Sequence, residues 1–142
     1  MPIISVTRLR VRKWYFVPTF LLRSLRISRQ AKNAPGNLAV RVLQDQRLTF
    51  WTCTSWESEA AMRAFMLAPP HGPAMRKLLE WCDEAALVHW DQAEADLPSW
   101  TEAHARMQRD GRPSKVHHPS EDQRRFVIAP PPETPKSELR LK

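Results

Sequence analysis

The stretch Arg-Leu-Thr-Phe-Trp-Thr-Cys-Thr-Ser-Trp (47–56) has the β-branched and aromatic content of a strand, yet neither of its faces is polar. Leu48, Phe50, Thr52, Thr54 and Trp56 share one side, and Thr49, Trp51, Cys53 and Ser55 share the other. A strand that is semi-apolar on both sides needs cover on both. Helices of the same chain can supply one layer. The economical source of the other is a second copy, so the expectation is a homodimer formed through the sheet.

The flanking residues build out from that strand. Leu38 to Leu43 alternates as a strand, and the short loop Gln44–Gln46 joins it to the 47–56 strand as a hairpin. Ser58 suits a helix cap, with Ala61, Met62, Phe65 and Met66 as the apolar stripe. Pro69-Pro70 ends that helix, and Pro73 suits the first turn of a continuation carrying Ala74, Leu78, Leu79 and Cys82 inward. Ala86 to Trp90 is a short apolar strand.

Upstream, Ile3 to about Arg12 places Ile3, Ser5, Thr7, Leu9 and Val11 on one strand face and Ile4, Val6, Arg8, Arg10 and Arg12 on the other. The arginine row reads as a solvated rim, with a site for an anionic group as the sharper alternative. Trp14-Tyr15-Phe16 forms an aromatic corner. From Thr19, taken as the cap, Phe20, Leu21, Leu25, Ile27 and Ala31 make an apolar side opposite Arg23, Arg26, Arg29 and Lys32. Asn33 to Asn37 turns the chain. Near the other end, Ser99-Trp-Thr-Glu102 is a capping box, Trp100, Ala103 and Met107 make a small apolar face, and Gly111 stops the helix.

The resulting order predicts an α+β domain over residues 1–111. It is a ferredoxin-like βαββαβ unit with a four-stranded antiparallel sheet and an added C-terminal helix. Residues 112–142, with prolines 113, 119, 130–132 and 135 among charges, are expected to form a disordered tail. Phe126-Val127-Ile128 is its one segment apolar enough to dock on the domain.

Charge is unevenly distributed: residues 1–47 hold 10 Lys/Arg and 1 Asp/Glu, while residues 48–100 hold 3 and 8. Nucleic acid or a membrane surface can attract such a basic half. Attraction between two parts of the domain, or between subunits, is the preferred reading, since no RNP-type or helix-turn-helix motif accompanies the charge. No run approaches the ~18 apolar residues of a membrane span, and arginines interrupt the first residues, so a cytoplasmic location is expected. Cys53 and Cys82 lack metal-type spacing and read as reduced core thiols.

A strand ending in Thr-Ser-Trp56, followed by Glu-Ser-Glu-Ala-Ala-Met, a Phe, and His71 before Ala-Met, resembles the dimeric α+β barrel superfamily. The likeness spans roughly residues 3–91. It is strongest to uncharacterised branches near the antibiotic-biosynthesis monooxygenase-like proteins, and looser to spheroidene monooxygenase-like proteins. The resemblance implies a homodimer with a pocket between sheet and helices in each subunit. Where the similar haem-degrading branch uses an Asn and a Trp, this chain has Thr7 and Phe65. No cofactor is therefore predicted, although haem ligation by His71 or His89 stays open.

The leading functional expectation is a monooxygenase-like protein that holds a small lipophilic or aromatic molecule near Thr7, Trp51, Phe65 and His89. His71, at the kink between two helices, is the candidate catalytic group, able to move protons or bind a metal, or else a helix-capping or surface histidine. Trp51, Trp56, Phe65, Trp81 and Trp90 form the aromatic supply for such a pocket, or else core. No metal site is expected, and His117-His118 allows only adventitious binding. A non-enzymatic ligand-binding or stress-response-type barrel is the alternative, and a basic-surface nucleic-acid binder the third reading.

Overall fold

The structure, a computed structural model, describes residues 1–68, 71–132 and 137–142. The Pro69-Pro70 stop and Pro135 fall outside the described residues. Strand β1 (Ile3–Val11) leads through a 3-10 turn (Trp14–Phe16) into helix α1 (Val17–Asn33), then to β2 (Asn37–Asp45) and β3 (Thr49–Trp56). Helices α2 (Glu59–Leu67) and α3 (His71–Glu80) precede β4 (Cys82–Asp91) and α4 (Trp100–Asp110). Short elements complete the chain: β5 (Arg112–Pro113), α5 (Glu121–Arg125) and β6 (Glu138–Arg140).

The sheet order is β5-β4-β1-β3-β2-β6, with every pair antiparallel. Its inner four strands have the ferredoxin-like order, and the expected four-stranded sheet is a six-stranded one. The two extra strands carry no local signal. Arg-Pro and Glu-Leu-Arg become strands only because β4 and β2 offer them unpaired edges.

Local chemistry explains the helix boundaries. Ser58 Oγ accepts from Ala61 N at 3.1 Å, and Ser99 Oγ accepts from Glu102 N at 3.1 Å. Helix α1 begins two residues before the expected Thr19, with Phe16 as a cap lacking side-chain help and Pro18 in the first turn, where its missing N–H costs nothing. Gly36 turns α1 into β2 at φ +86, and a side chain there would meet the Ala61 Cβ at 2.5 Å.

Alternation along the strands divides the core into two layers. Leu9, Phe20, Leu78 and Cys82 pack together beneath α1 and α3, while Ile3, Ala31, Val40, Trp56 and Met62 pack beneath α1 and α2. On the opposite face Ile4, Val6, Leu43, Trp51, Cys53 and Val88 are fully or almost fully buried against Trp100, Ala103 and Met107 of α4, with Ile128 beside them. The second face of β3 is therefore closed by this chain, and no second copy is needed to cover it. The cause is α4: its apolar residues at positions 100, 103 and 107 look like a minor stripe in sequence, yet they lie flat on the sheet. An indole that buries about 150–250 Å² contributes roughly 4–6 kcal/mol gross at ~25 cal/mol per Å².

The segment expected to trail as a tail is laid against this layer in its described part. Ile128 N donates to Gln108 Oε1 at 2.7 Å, and a His104 ring nitrogen lies 2.7 Å from Ile128 O. Gln123 of α5 is held to β4 by both backbone groups of Ala85, at 3.0 and 3.1 Å. Few apolar residues are needed because these hydrogen bonds orient the segment.

Beside that layer two of the three arginines of the row find their anions within the chain, while Arg12 donates to the backbone carbonyl of Glu80 at 3.2 Å. Arg8 Nη1 meets Glu84 Oε1 at 2.7 Å, both side chains being 3% exposed, and Arg10 pairs with Asp83 at 2.8 Å and with Glu84 at 3.1 Å. Ser120 Oγ donates to the second Glu84 oxygen at 2.8 Å. Basic first half and acidic middle thus attract each other inside one domain, and Arg8 and Arg10 of the expected solvated rim join an ion-pair network whose Arg8–Glu84 pair is buried.

Replacing Glu84→Leu leaves Arg8 buried without its counter-charge and should cost about 3–5 kcal/mol. Adding Arg8→Met should return most of that loss, as read by urea unfolding. Met107→Ala should cost about 2–5 kcal/mol through the cavity left on the second face, with an unchanged urea dependence.

Candidate functional site

The two clusters beneath the helices do not meet. Between them, under α1, α2 and α3, lies a cavity of about 120 Å³ bounded by Leu9 and Leu78 at one end and Trp56 and Met62 at the other. Its floor is the sheet. Ser5 stands opposite Thr54 on β3 and His89 on β4, and Thr7 stands opposite Thr52 and Leu87. A polar row and a mixed row thus cross three strands beneath a mostly apolar chamber, whose other polar walls are Ser24, Ser28, His71 and Ser114. Trp56 Nε1 donates to Thr54 Oγ1 at 2.9 Å, so the indole is anchored with its ring in the wall.

The roof carries an aromatic stack. Trp56 and Phe65 stack with centroids 5.1 Å apart, and the His71 ring lies 4.7 Å beyond Phe65. His71 opens α3, and its Nδ1 lies 3.0 Å from the carbonyl oxygen of Met66. A carbonyl only accepts, so Nδ1 carries the proton. In the neutral ring Nε2 is then left with its lone pair, on a side chain that lines the cavity. Burial pushes the His71 pKa below its ordinary value, and the hydrogen bond to Met66 opposes that in part. Near neutral pH the ring is a neutral base.

Of the residues expected at the site, Thr7, Phe65, His71 and His89 line this one cavity, from two strands and two helices. Trp51 does not. Strand parity puts it on the opposite face, where its Nε1 donates to Asp45 at 3.1 Å and its ring meets Trp100 edge-on at 6.3 Å. The sequence does not say which parity of β3 faces the helices because both are apolar. Trp56, only one of five aromatic candidates in sequence, is the indole that belongs to the cavity. Trp81 packs in the Phe20 cluster and Trp90 against the α4 layer. Of the hydroxyl rows only Thr7 is in the expected site. Ser5, Thr52 and Thr54 are missing from it, although Ser5 and Thr7 alternating on β1 across from Thr52 and Thr54 are a readable sign.

Other chemistry is not supported by the surroundings. Burial pushes the Cys53 and Cys82 thiols up to about 12, which keeps them protonated and unreactive. Among the described residues no group of three or more His, Cys, Asp or Glu side chains is placed to hold a metal ion. A chamber of about 120 Å³ is smaller than the ~150 Å³ that accommodates a single benzene ring in an engineered core. The four-ringed haem macrocycle does not fit it.

A family model described as "Domain of unknown function (DUF3291)" matches residues 22–116. No curated protein matches the sequence. SnoaB, a cofactor-independent oxygenase from Streptomyces nogalater solved in a mutant form, is 15% identical with a TM-score of 0.57, over 66% of this chain and 94% of that one. A candidate antibiotic biosynthesis monooxygenase from Deinococcus radiodurans is 18% identical with a TM-score of 0.59, over 68% and 96%. Another from Nitrosomonas europaea is 15% identical with a TM-score of 0.59, over 65% and 90%. At such identities the likeness speaks for the fold, which is that of the antibiotic biosynthesis monooxygenase-like α+β barrels.

The depressed His71 pKa has a consequence for stability. The unfolded imidazole binds a proton near its ordinary value of 6.5, and the folded one only at lower pH. Between those two values the unfolded chain holds more protons, so stability should be full above about 6.5 and fall as pH drops through the window. Urea midpoints measured from pH 8 to 5 should show this decline in the wild type and less of it in His71→Gln.

Proposed function

The chain belongs to the DUF3291 family, and on that footing we propose that it is a monooxygenase-like protein taking a small aromatic molecule into the cavity between sheet and helices. The observation that carries this reading is His71. Its Nδ1 proton is committed to Met66, and its neutral ring lines a mostly apolar chamber. Such a ring is suited to remove a proton from a bound hydroxyl. Phe65 and Trp56 would stack on the ligand, while Ser5, Thr7 and His89 on the floor would orient its polar substituent. Size favours one ring, given about 120 Å³ against the ~150 Å³ benzene cavity. A monocyclic phenol, the smallest aromatic with an acidic hydroxyl, is the class closest to this volume and suits the base.

The fold analogy to a cofactor-independent oxygenase supports the reaction class and does not fix it. In that chemistry the substrate supplies the electrons. A phenol loses its proton to His71, the electron-rich phenolate reacts with molecular oxygen, and the products are a quinone and water. The protein's part is a dry chamber and a base in the right tautomer. The same cavity would equally serve the non-enzymatic alternative, binding without turnover.

Thermal-shift measurements should show stabilisation by monocyclic phenols, less by benzene, and none by three-ring aromatics. Oxygen uptake with the best-binding phenol should fall at least about 100-fold in His71→Gln while the thermal shift persists. Stabilisation without oxygen uptake in the wild type would favour the binding-only barrel, and no stabilisation by any phenol would overturn the reading.

A further inference from the structure

We propose that the outer face of α1, together with the 3-10 turn before it, docks on an anionic lipid surface. The inference is independent of what fills the cavity. Residues 1–44 contain no Asp or Glu. Among the described residues, Arg8, Arg10 and Arg41 of the sheet each meet a carboxylate. The exposed cations Lys13, Arg26, Arg29 and Lys32 meet none there. The fold's internal neutralisation thus stops at this helix and leaves its charge facing outward.

Apolar side chains lie among those cations. Trp14 is 75% exposed, Tyr15 56%, Leu22 52% and Leu25 39%. Positions 22, 25, 26, 29 and 32 recur every three or four residues, so leucines and cations share one side of the helix. Phe20, Ser28 and Ala31 occupy the buried side. An exposed face that mixes Trp, Tyr and Leu with basic residues suits the bilayer interface, with the aromatic rings at headgroup level and the basic residues on anionic lipids. No helix among the described residues is long and apolar enough to cross a membrane. The leucines decide against nucleic acid as the partner. Phosphates and bases would satisfy the arginines and stack on Trp14, but would leave Leu22 and Leu25 in water, whereas a lipid interface accepts both.

The test is co-sedimentation of the full chain with vesicles of phosphatidylcholine alone or mixed with phosphatidylserine, with a single-stranded oligonucleotide as competitor. The protein should partition onto the mixed vesicles at low salt, leave them at high salt, and ignore phosphatidylcholine alone. Arg26→Gln with Arg29→Gln should lower the partition coefficient on the order of 30-fold, at about fivefold per basic residue. Trp14→Ala should lower it on the order of tenfold, and Leu22→Gln gives a second apolar variant should the first fail to fold by circular dichroism. Absence of binding to anionic vesicles at low salt overturns the proposal, as does equal binding to neutral ones. Tight oligonucleotide binding without vesicle binding would assign the face to nucleic acid instead.

Discussion

The fold depends on the burial of one sheet face by a helix of the same chain. Trp51, Cys53, Val6 and Val88 present an apolar surface that would drive aggregation if left wet, and α4 covers it with Trp100, Ala103 and Met107. Two strengthening contacts hold this cover in place. Arg41 lies over the Trp100 ring at 4.7 Å and donates to the carbonyl of Pro98, just before the helix. The cap at Ser99 then starts α4 at the point where its first residue must be buried. Because the covering layer is local and continuous with β4, the domain closes its core without a partner over this face.

With that face settled, the helical face is free to be imperfect. Its packing splits into a cluster around Phe20 and another around Trp56, and the space between them is the candidate site. A tightly packed interior would have no such gap. Small residues leave it open: Ser24 and Ser28 on α1 and Ser5 and Thr7 on β1 all line it, at positions where leucines would take up the volume. Function, on this view, rests on positions where the sequence economises on side-chain size, next to a histidine whose tautomer is set by a single carbonyl.

Much of this architecture is readable in the sequence. The helix caps at Ser58 and Ser99 and the ferredoxin-like order come from alternation, periodicity and capping chemistry, while Thr7 and Phe65 of the cavity come from the family resemblance. The hairpin is also legible, but its turn lies at residues 46–48, with positive φ at Arg47 and Leu48, rather than at the expected Gln44–Gln46. The features that escape such a reading have physical causes. Strand β3 is apolar on both sides, so its facing is ambiguous and Trp51 is assigned to the wrong layer. Strand β4 runs from Cys82 because Asp83 and Glu84 pair with arginines of β1, and acidic residues in isolation look like a loop. Elements β5 and β6 exist only through their partners. The weight of α4 is easily underestimated since three residues carry its apolar face, and their value comes from the surface they meet.

Those late, short strands have a further effect. Along β2, backbone groups from Val40 to Gln44 are engaged by residues 137–142; along β4, Asp83 to Leu87 are engaged by β5, Ser120 and Gln123. Both outer rows of peptide groups are thus occupied over their middle portions. A neighbouring molecule finds there no open ladder to extend, which disfavours runaway strand-on-strand stacking of the kind that seeds fibrils. Contact between copies is thereby left to side chains rather than to backbone ladders.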